Sequence, residues 1–394
     1  MNAPTQRLAV VVSHPIQYYA PWFRWMAAQG WSLRVFYLWD AGVSAHADRE
    51  FGRTLVWDVD LLSGYEHEFV PNIAREPGTH HLRGLNNPSL PQRLRGWQPD
   101  AILLFGYKYL THLRLLLAPP APVIFRGDSH LLDAPAPQIL KRWALRWVYS
   151  RCAAISYVGQ ANSDYFRAFG VPPAKLFHAP HCVDAEHFAA TAETRAASER
   201  LRETLGMEGK RVVLFAGKLI PKKRPRELLA AFHGLAPADT ALVFVGEGSD
   251  LPALQHQAAT RPDLCVRFLP FANQTEMPSC YLLADVFALP SGGPGETWGL
   301  AVNEAMHLGV PCLVSDRVGC QRDLVTEGET GWVFAADAPE ALEAALRRAL
   351  LATAQDAEGF PQRVSKRIAG YTYATATAGL AQALKALGRP LSTP

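Results

Sequence analysis

Residues 7–38 read "RLAVVVSHPIQYYAPWFRWMAAQGWSLRVFYL". An apolar run to Val12 is followed by a short polar turn, a helical pattern to Gln29, a glycine suited to end a helix, and a second apolar run. Two short apolar runs on either side of an amphipathic segment predict a strand, a helix and a second strand. The chain therefore opens with a predicted βαβ unit.

The same pattern continues along the chain. Further apolar runs that end in glycine, proline or a polar residue occupy 100–106, 122–127, 153–159, 175–180, 211–218, 240–248, 265–271, 285–291 and 311–316. Short continuous apolar strands that alternate with helices predict parallel sheets covered on both faces. We expect an α/β protein with two Rossmann-like domains, because 394 residues exceed one ordinary core.

A polar, alanine-rich stretch separates the two halves. It predicts a first domain at 1–190, a linker at 191–208 and a second domain at 209–369. After about residue 338 the pattern is almost wholly helical. The last helix, at about 370–394, is predicted to pack back on the first domain.

Composition excludes several classes of protein. Hydrophobic residues make up 49% of the chain and charged residues 19%, which is typical of a globular protein. A net charge of +3 does not suggest a nucleic-acid partner. No apolar run reaches the length of a membrane helix, residues 1–15 lack a signal-peptide pattern, and the six cysteines are scattered. These features predict a cytoplasmic protein without a disulfide framework or a zinc site.

Residues 290–311, "PSGGPGETWGLAVNEAMHLGVP", place two glutamates eight positions apart. The glycines predict a loop around Glu296, and the apolar spacing predicts a helix from near Gly299 to Gly309 with Glu304 inside it. Amides near Trp298, Gly299 and Leu300 would then point out of a helix N-terminus, where anions bind. In the alternative interpretation, both glutamates are ordinary surface residues.

Basic and glycine residues follow two other predicted strands of the second half. Lys218 stands at the end of the first strand, and Lys222, Lys223 and Arg224 precede a helix predicted to begin near Pro225. Gly246 and Glu247 belong to a Gly-x-Gly turn after the next strand. Ligands of open parallel sheets bind beyond the carboxyl ends of strands. Each motif is weak alone, but their common position predicts one site.

These segments resemble the retaining glycosyltransferases of family 4, which have the GT-B architecture. The resemblance lies in "GKLIPKKRP", "VGEGSDLPAL", "FLPFANQTEMPSCYLLADVFALPS", "GETWGLAVNEAMHLGVPCLVSD" and "VGCQRDLVTEGETGWVF", in order and spacing. It covers most of 210–335 and continues into the first half through residues 156–188. It implies a nucleotide-diphosphate sugar donor in the second domain and an acceptor in the first, a lipid-linked or envelope glycan or a small molecule.

The resemblance also implies roles for single residues. Lys218, where the family usually has arginine, and Lys223 would hold the donor diphosphate. Glu296 would lie beside the donor sugar and Glu304 at the ribose. The Gly246–Glu247 turn would approach the donor, and the amides of 298–300 would contact sugar and phosphate. Cations and amides would stabilise the leaving diphosphate, so neither a cofactor nor a metal ion is expected.

The first half departs from the family pattern. The turn after the first strand is "SHPIQYY" instead of glycine-rich; Ser13, His14 and Gln17 are still placed to contact acceptor or donor sugar, although His14 could equally bond within the turn. In "PVIFRGDSH" the position of the family's usual histidine falls on Asp128. Either Asp128 takes the polar role or the loop shifts and His130 does. A third alternative is that Arg126 and Asp128 pair only to order the loop.

Two further alternatives concern the whole chain. Residues 140–151, "LKRWALRWVYSR", could form a membrane-interface helix, and nine Lys and Arg against three Asp and Glu lie between Arg93 and Arg151. We favour a core-packed helix with solvated arginines, since aromatic residues are usually buried. A sugar-nucleotide epimerase of the same architecture, or an inactive nucleotide-sugar-binding protein, would share these motifs.

Overall fold

The computed structural model describes residues 6–43, 46–48, 53–55, 57–132, 139–292 and 295–388. Parts of three predicted features lie outside them: the glycine loop at Gly293 and Pro294, the chain start at 1–5 and the end of the last helix at 389–394. None of the helices in the described ranges is both long and apolar enough to cross a bilayer.

The first unit is built on a parallel seven-stranded sheet in the order β5-β2-β1-β6-β7-β8-β9. A short antiparallel hairpin, β3–β4, lies outside this sheet. The elements in chain order are β1 (Arg7–Val12), α1 (Ala20–Ala28), β2 (Ser32–Tyr37), β3 (His46–Asp48), β4 (Arg53–Leu55), β5 (Glu66–Phe69), α2 (Leu90–Trp97), β6 (Ala101–Phe105), α3 (Leu110–Leu117), β7 (Val123–Arg126), α4 (Ile139–Ser150), β8 (Ala154–Tyr157), α5 (Gln160–Ala168) and β9 (Leu176–His178).

The second unit is built on a parallel six-stranded sheet in the order β12-β11-β10-β13-β14-β15. Its elements are α6 (Ala192–Thr204), β10 (Arg211–Ala216), α7 (Pro225–Leu235), β11 (Thr240–Val245), α8 (Leu251–Ala259), β12 (Cys265–Leu269), α9 (Met277–Tyr281), β13 (Val286–Leu289), α10 (Leu300–His307), β14 (Cys312–Ser315), α11 (Gln321–Leu324), β15 (Gly331–Phe334), α12 (Pro339–Gln355) and α13 (Gly359–Ile368), and α14 (Tyr373–Ala386) follows them in the chain. The prediction of two Rossmann-like units with parallel sheets is confirmed.

Central strands are apolar throughout because both of their faces are covered. In β1, Ala9 and Val11 pack into one cluster, and Leu8, Val10 and Val12 pack into the cluster on the opposite face. The strand β10 is likewise buried on both faces: Val212 and Leu214 pack into one cluster of the second unit, and Val213 and Phe215 pack into another. This two-sided burial explains why continuous apolar runs predicted these strands.

The last helix, α14, packs on the first sheet although it follows the second in sequence. Its residues Ala376, Leu380 and Ala383 are fully buried in the cluster that contains β1. The indole Nε1 of Trp22 on α1 donates a 2.8 Å hydrogen bond to Thr377 Oγ1. The segment predicted as a linker contains α6, which packs against α9 of the second unit.

The helix at 140–151 is packed on the core with its arginines exposed, as predicted, but the expectation that its tryptophans are buried there is wrong. The helix α4 buries Leu145, Val148 and Tyr149, whereas Trp143 and Trp147 are exposed. The buried residues, three and four positions apart, occupy the single face that a helix can turn to a sheet. The tryptophans lie on the opposite face, so only the apolar face formed by Leu145, Val148 and Tyr149 packs against the core.

Candidate active site

A cavity of about 450 Å³ lies between the two units, at the carboxyl ends of β10, β11 and β13. First-unit residues Gln17, Tyr18, Trp57 and Asp128 form one wall. The second unit supplies cations, carboxylates and the start of α10: Gly217, Lys218, Lys222, Lys223, Gly246, Glu296, Thr297, Trp298, Gly299, Leu300 and Glu304. The motifs predicted to share a site are therefore brought together.

Lys223 and Glu296 form an ion pair in this cavity. Lys223 ends the 3-10 turn Pro221–Lys223, and its ammonium donates to Glu296 Oε2. The same oxygen accepts a 2.7 Å hydrogen bond from Ser291 Oγ. Both side chains are largely buried, so the pair is a preorganised charge contact. Lys222 lines the cavity too, whereas Arg224 donates to the carbonyl of Ala336.

Glu304 is buried in the second turn of α10, with 3% of its surface exposed. The Tyr281 hydroxyl donates a 2.6 Å hydrogen bond to its Oε2, whereas Oε1 has no hydrogen-bond partner among the described residues. Burial raises the pKa of Glu304 to about 7, although nearby Tyr281 and Tyr18 act in the opposite direction. Tyr18 comes from the first unit, so this carboxyl lies where the two units meet.

The start of α10 is shaped by Gly299, whose φ of 95° is in the left-handed region. A Cβ there would lie 2.9 Å from Val318 Cγ1, so a larger residue does not fit without a shift. The first amides of a helix have no partner inside it, and the residues at the start of α10 line the cavity here. The Trp298 indole is buried and donates to Asn303 Oδ1 at 2.8 Å, so its N–H is already occupied within the protein.

The two loops after β10 and β11 approach each other closely. Gly246 has φ 133°, and a Cβ on it would lie 2.1 Å from the carbonyl oxygen of Gly217. Leu219 N donates to the carbonyl of Glu247 at 2.8 Å. Lys218 and Gly246 line the cavity, but Glu247 is not among the lining residues. Its backbone carbonyl instead positions the loop that carries Lys218.

Asp128 faces the cavity from the first unit and contacts the second. Thr297 Oγ1 donates to its Oδ2 at 2.8 Å, and His181 Nε2 lies 3.6 Å from the same oxygen. Burial acts to raise the pKa of the carboxyl, but His181 and Thr297 outweigh it and hold that pKa at about 2. Asp128 is therefore an anion at neutral pH. The basic side chain nearest to this carboxylate is His181, whose own pKa is lowered by burial. Arg126 does not bond Asp128; its guanidinium donates to Ser156 and to backbone carbonyls.

His130 occupies a different position from Asp128. Its Nδ1 accepts from the Leu132 amide at 3.2 Å, so its Nε2 donates to the Glu296 carbonyl at 3.1 Å. The ring is 7% exposed and is not among the residues that line the cavity. His130 bridges the units and holds the backbone of Glu296.

A second cavity of about 240 Å³ lies in the first unit and shares Asp128 and Thr297 with the larger one. Its walls are aromatic and polar: Ser13, Tyr19, Phe105, Tyr107, Lys108, Tyr109, Phe125, Arg126 and Ser129. Of the turn predicted to contact substrates, Ser13 lines this cavity and Gln17 the larger one. His14 lines neither; it accepts or donates at 2.9 Å with Ser13 and packs edge-on against Trp39.

Sequence reasoning missed Tyr18, Tyr281, His181 and Thr297. Tyr18 and His181 lie in turns that follow strands, the position that identified the other site residues. Thr297 adjoins Glu296, but its hydrogen bond to Asp128 depends on how the units meet. Within the described ranges, His, Cys, Asp and Glu side chains form no group of three or more that could hold a metal ion.

Two family descriptions match the chain. "Glycosyltransferase Family 4" matches residues 22–187, and "Glycosyl transferases group 1" matches residues 197–366. Together they cover both units and leave out α14.

Relatives and solved structures agree with these matches. A GDP-mannose-dependent alpha-(1-6)-phosphatidylinositol monomannoside mannosyltransferase of Mycolicibacterium smegmatis is 35% identical over 49% of this chain and 51% of that protein. A GDP-mannose-dependent alpha-mannosyltransferase of the same organism is 29% identical over 67% of this chain and 68% of its own. The chain thus spans about half the length of the first relative and about two thirds of the second.

The structure of Anabaena Alr3699/HepE, in complex with UDP and glucose, has a TM-score of 0.71 at 16% identity, covering 96% of this chain and 99% of that one. At this identity the likeness concerns the fold alone. The chain belongs to the group 1 glycosyl transferases of family 4 and has the GT-B fold.

Proposed function

We propose that the protein is a retaining glycosyltransferase that moves a hexosyl group from a nucleotide-diphosphate sugar to an acceptor without a metal ion. The observation that carries the proposal is the grouping of Glu296, Glu304 and Lys223 around one cavity at the start of α10. Two carboxylates on either side of cations and helix amides match a donor whose two polyhydroxylated parts flank a diphosphate.

The contacts of the two glutamates support one direction for the donor. Glu304 accepts a hydrogen bond from Tyr281, which lines the cavity together with Met277 and Gln274. Its unpartnered Oε1 suits the ribose hydroxyls. Glu296 lies next to Thr297 and Asp128, where the transferred sugar would meet the first unit.

The leaving diphosphate would gain its stabilisation between these ends. Lys218, Lys222 and Lys223 line the cavity with residues 298–300 at the start of α10, whose amides would face the diphosphate. Fixed cations and helix dipoles stabilise charge that develops during bond breaking, and they need no reorganisation at that moment. In this arrangement, Lys223 holds both the phosphate and the carboxylate of Glu296, which links the charge of the leaving group to the position of the sugar.

The acceptor belongs in the smaller cavity of the first unit. This cavity meets the donor cavity at Asp128 and Thr297, so groups in the two are neighbours there. Its aromatic walls and polar rim suit a sugar ring, whose apolar faces stack and whose hydroxyls bond. A volume of about 240 Å³ admits the end of a longer acceptor, such as a lipid-linked or envelope glycan, or a small molecule.

A panel of nucleotide-diphosphate sugars tests the proposal, and GDP-mannose is the first donor to try because two relatives are named for it. Release of the nucleoside diphosphate with formation of a glycoside whose anomeric configuration, read by NMR, matches the donor supports a retaining transferase. Interconversion of the donor sugar would indicate an epimerase, and binding without turnover an inactive protein. Inversion at the anomeric carbon would contradict the retaining mechanism.

A further inference from the structure

The outer face of α4 exposes an unusual number of large apolar side chains. Four of the eleven exposed large hydrophobic residues among those described lie on this single helix, and Trp143 is 68% exposed and Leu140 83%. Leu117, at the end of α3, adjoins the helix through Arg151, which donates to its carbonyl at 3.1 Å. We call these side chains together the α4 surface: Leu117, Ile139, Leu140, Trp143 and Trp147.

The exposed stripe is opposite the buried one. Leu145, Val148 and Tyr149 fix the helix to the sheet, and the α4 surface turns away from it. Isolated exposed apolar residues are normal, but contiguous ones on one helix mark an interaction site. Because the helix is already anchored by its inner face, the outer face is not needed for the core.

The charges around the α4 surface have one sign. Lys141, Arg142 and Arg146 lie on the helix and are exposed, and Arg151 follows it. The sequence contains no acidic residue between Asp133 and Asp164. Tryptophan beside lysine and arginine on an amphipathic helix suits the boundary between acyl chains and anionic headgroups. A second copy of this chain would bring the same cations face to face, which charge repulsion disfavours.

The inner face of α4 touches the walls of the smaller cavity. The Tyr149 ring lies 5.4 Å from the Phe125 ring and 6.2 Å from the Tyr107 ring, and both of these residues line that cavity. One helix therefore separates the candidate acceptor cavity from the α4 surface. A bilayer held against α4 would lie one helix away from the candidate acceptor cavity.

We propose that the α4 surface docks the protein onto an anionic phospholipid bilayer. Trp143, Trp147 and the neighbouring aliphatic side chains enter the interface, and the flanking cations bind the headgroups. The docking itself does not depend on the transfer reaction, but it would bring the acceptor cavity to lipid-linked acceptors.

Sedimentation with lipid vesicles tests the docking. We expect the full chain to bind vesicles of phosphatidylcholine and phosphatidylglycerol, to bind pure phosphatidylcholine more weakly, and to dissociate as salt is added. The double variant Trp143→Ala/Trp147→Ala should lower the vesicle partition coefficient by at least about tenfold. Arg142→Gln/Arg146→Gln should lower binding to the anionic vesicles only.

The matched control is Leu351→Ala on α12, an exposed leucine of the second unit that should not affect vesicle binding. Absence of wild-type binding to anionic vesicles, or equal binding by the double tryptophan variant, would overturn the proposal. The proposal would also be overturned if sedimentation velocity showed that the wild type forms a concentration-dependent dimer but does not bind vesicles, and if the tryptophan substitutions abolished that dimer. Nucleoside diphosphate affinity is measured on every variant: its loss would mark a folding defect, and its absence in the wild type would contradict the proposed function alone.

Discussion

The Lys223–Glu296 pair is the charge contact on which the proposed reaction depends most. We expect Lys223→Ala and Glu296→Gln each to lower the turnover of sugar transfer by at least about a hundredfold, as loss of one preorganised charge contact commonly does. Lys366→Ala on α13, an exposed lysine that lines neither cavity, serves as the charge control. Near-normal turnover of a folded Lys223→Ala protein would remove the diphosphate assignment.

Glu304 gives the stability of the protein a pH dependence that Glu304→Gln should remove. With a pKa of about 7 the folded carboxyl holds its proton more tightly than the unfolded one. Its contribution to stability is therefore full below the unfolded pKa and falls as pH rises to about 7. From pH 5 to pH 8, the free energy of unfolding of the variant should rise relative to wild type, by on the order of 2 kcal/mol.

Urea denaturation of both proteins at the two pH values measures this difference. Glu227→Gln, at an exposed position on α7, is the matched control and should show the same gap at each pH. A difference between Glu304→Gln and wild type that does not change with pH would show that the carboxyl is not protonated in the folded protein.

Asp128 and His130 should respond differently to conservative substitution. Asp128 lines both cavities as an anion, so Asp128→Asn should lower the rate of transfer at least about tenfold and leave nucleoside diphosphate affinity nearly unchanged. His130 acts through the carbonyl of Glu296, so His130→Ala should also be slow, whereas His130→Gln, which keeps a donor, should recover much of the rate. If all three variants transferred sugar at the wild-type rate, the loop that contains Asp128 and His130 would have only a structural role.

At the scale of elements, the start of α10 depends on one backbone conformation. Gly299→Ala places a Cβ at φ 95° and against Val318, so it should cost about 1–3 kcal/mol of stability and weaken nucleoside diphosphate binding. Gly30→Ala is matched in backbone strain, with φ 82° and nothing within 4 Å, and Gly30 lines neither cavity. Gly30→Ala should lower the melting temperature without changing the Kd for the nucleoside diphosphate, measured by calorimetry. Equal nucleotide affinity of both variants would contradict an anion site at this helix.

Sequence patterns predicted the central strands better than the edges. The strands β1 and β10 are buried on both faces and read as continuous apolar runs. The edge strand β5, "EHEF", has mostly exposed side chains, and its sequence does not predict a strand, because side chains left in solvent need not be apolar. The sequence of α4 likewise did not show that its tryptophans lie on the face turned away from the sheet.

At the scale of the whole molecule, the site is divided between the units in a way that sequence showed only in part. Strand ends place Lys223, Glu296 and Glu304 on one edge of one sheet, because the carboxyl ends of parallel strands coincide. The contacts of Asp128 with Thr297 and of Tyr18 with Glu304 join residues more than a hundred positions apart. They depend on how two separately folded units meet, which periodicity and spacing do not encode.

The positive charges that line the larger cavity bear on whether the reaction needs a metal ion. Three lysines and the amides at the start of α10 surround the place proposed for the diphosphate. In some transferases a divalent cation supplies this positive charge. If, as proposed, the lysines and amides supply it in this protein, transfer should proceed within about twofold of its normal rate after treatment with excess EDTA. The rate is measured with each chelated sample and again after Mg²⁺ or Mn²⁺ is restored. Lys222→Ala/Lys223→Ala provides the converse control, since a metal ion should not rescue it if the lysines act directly. Complete loss of transfer in EDTA that a divalent cation reverses would mean that lysines and amides do not suffice as counter-charge.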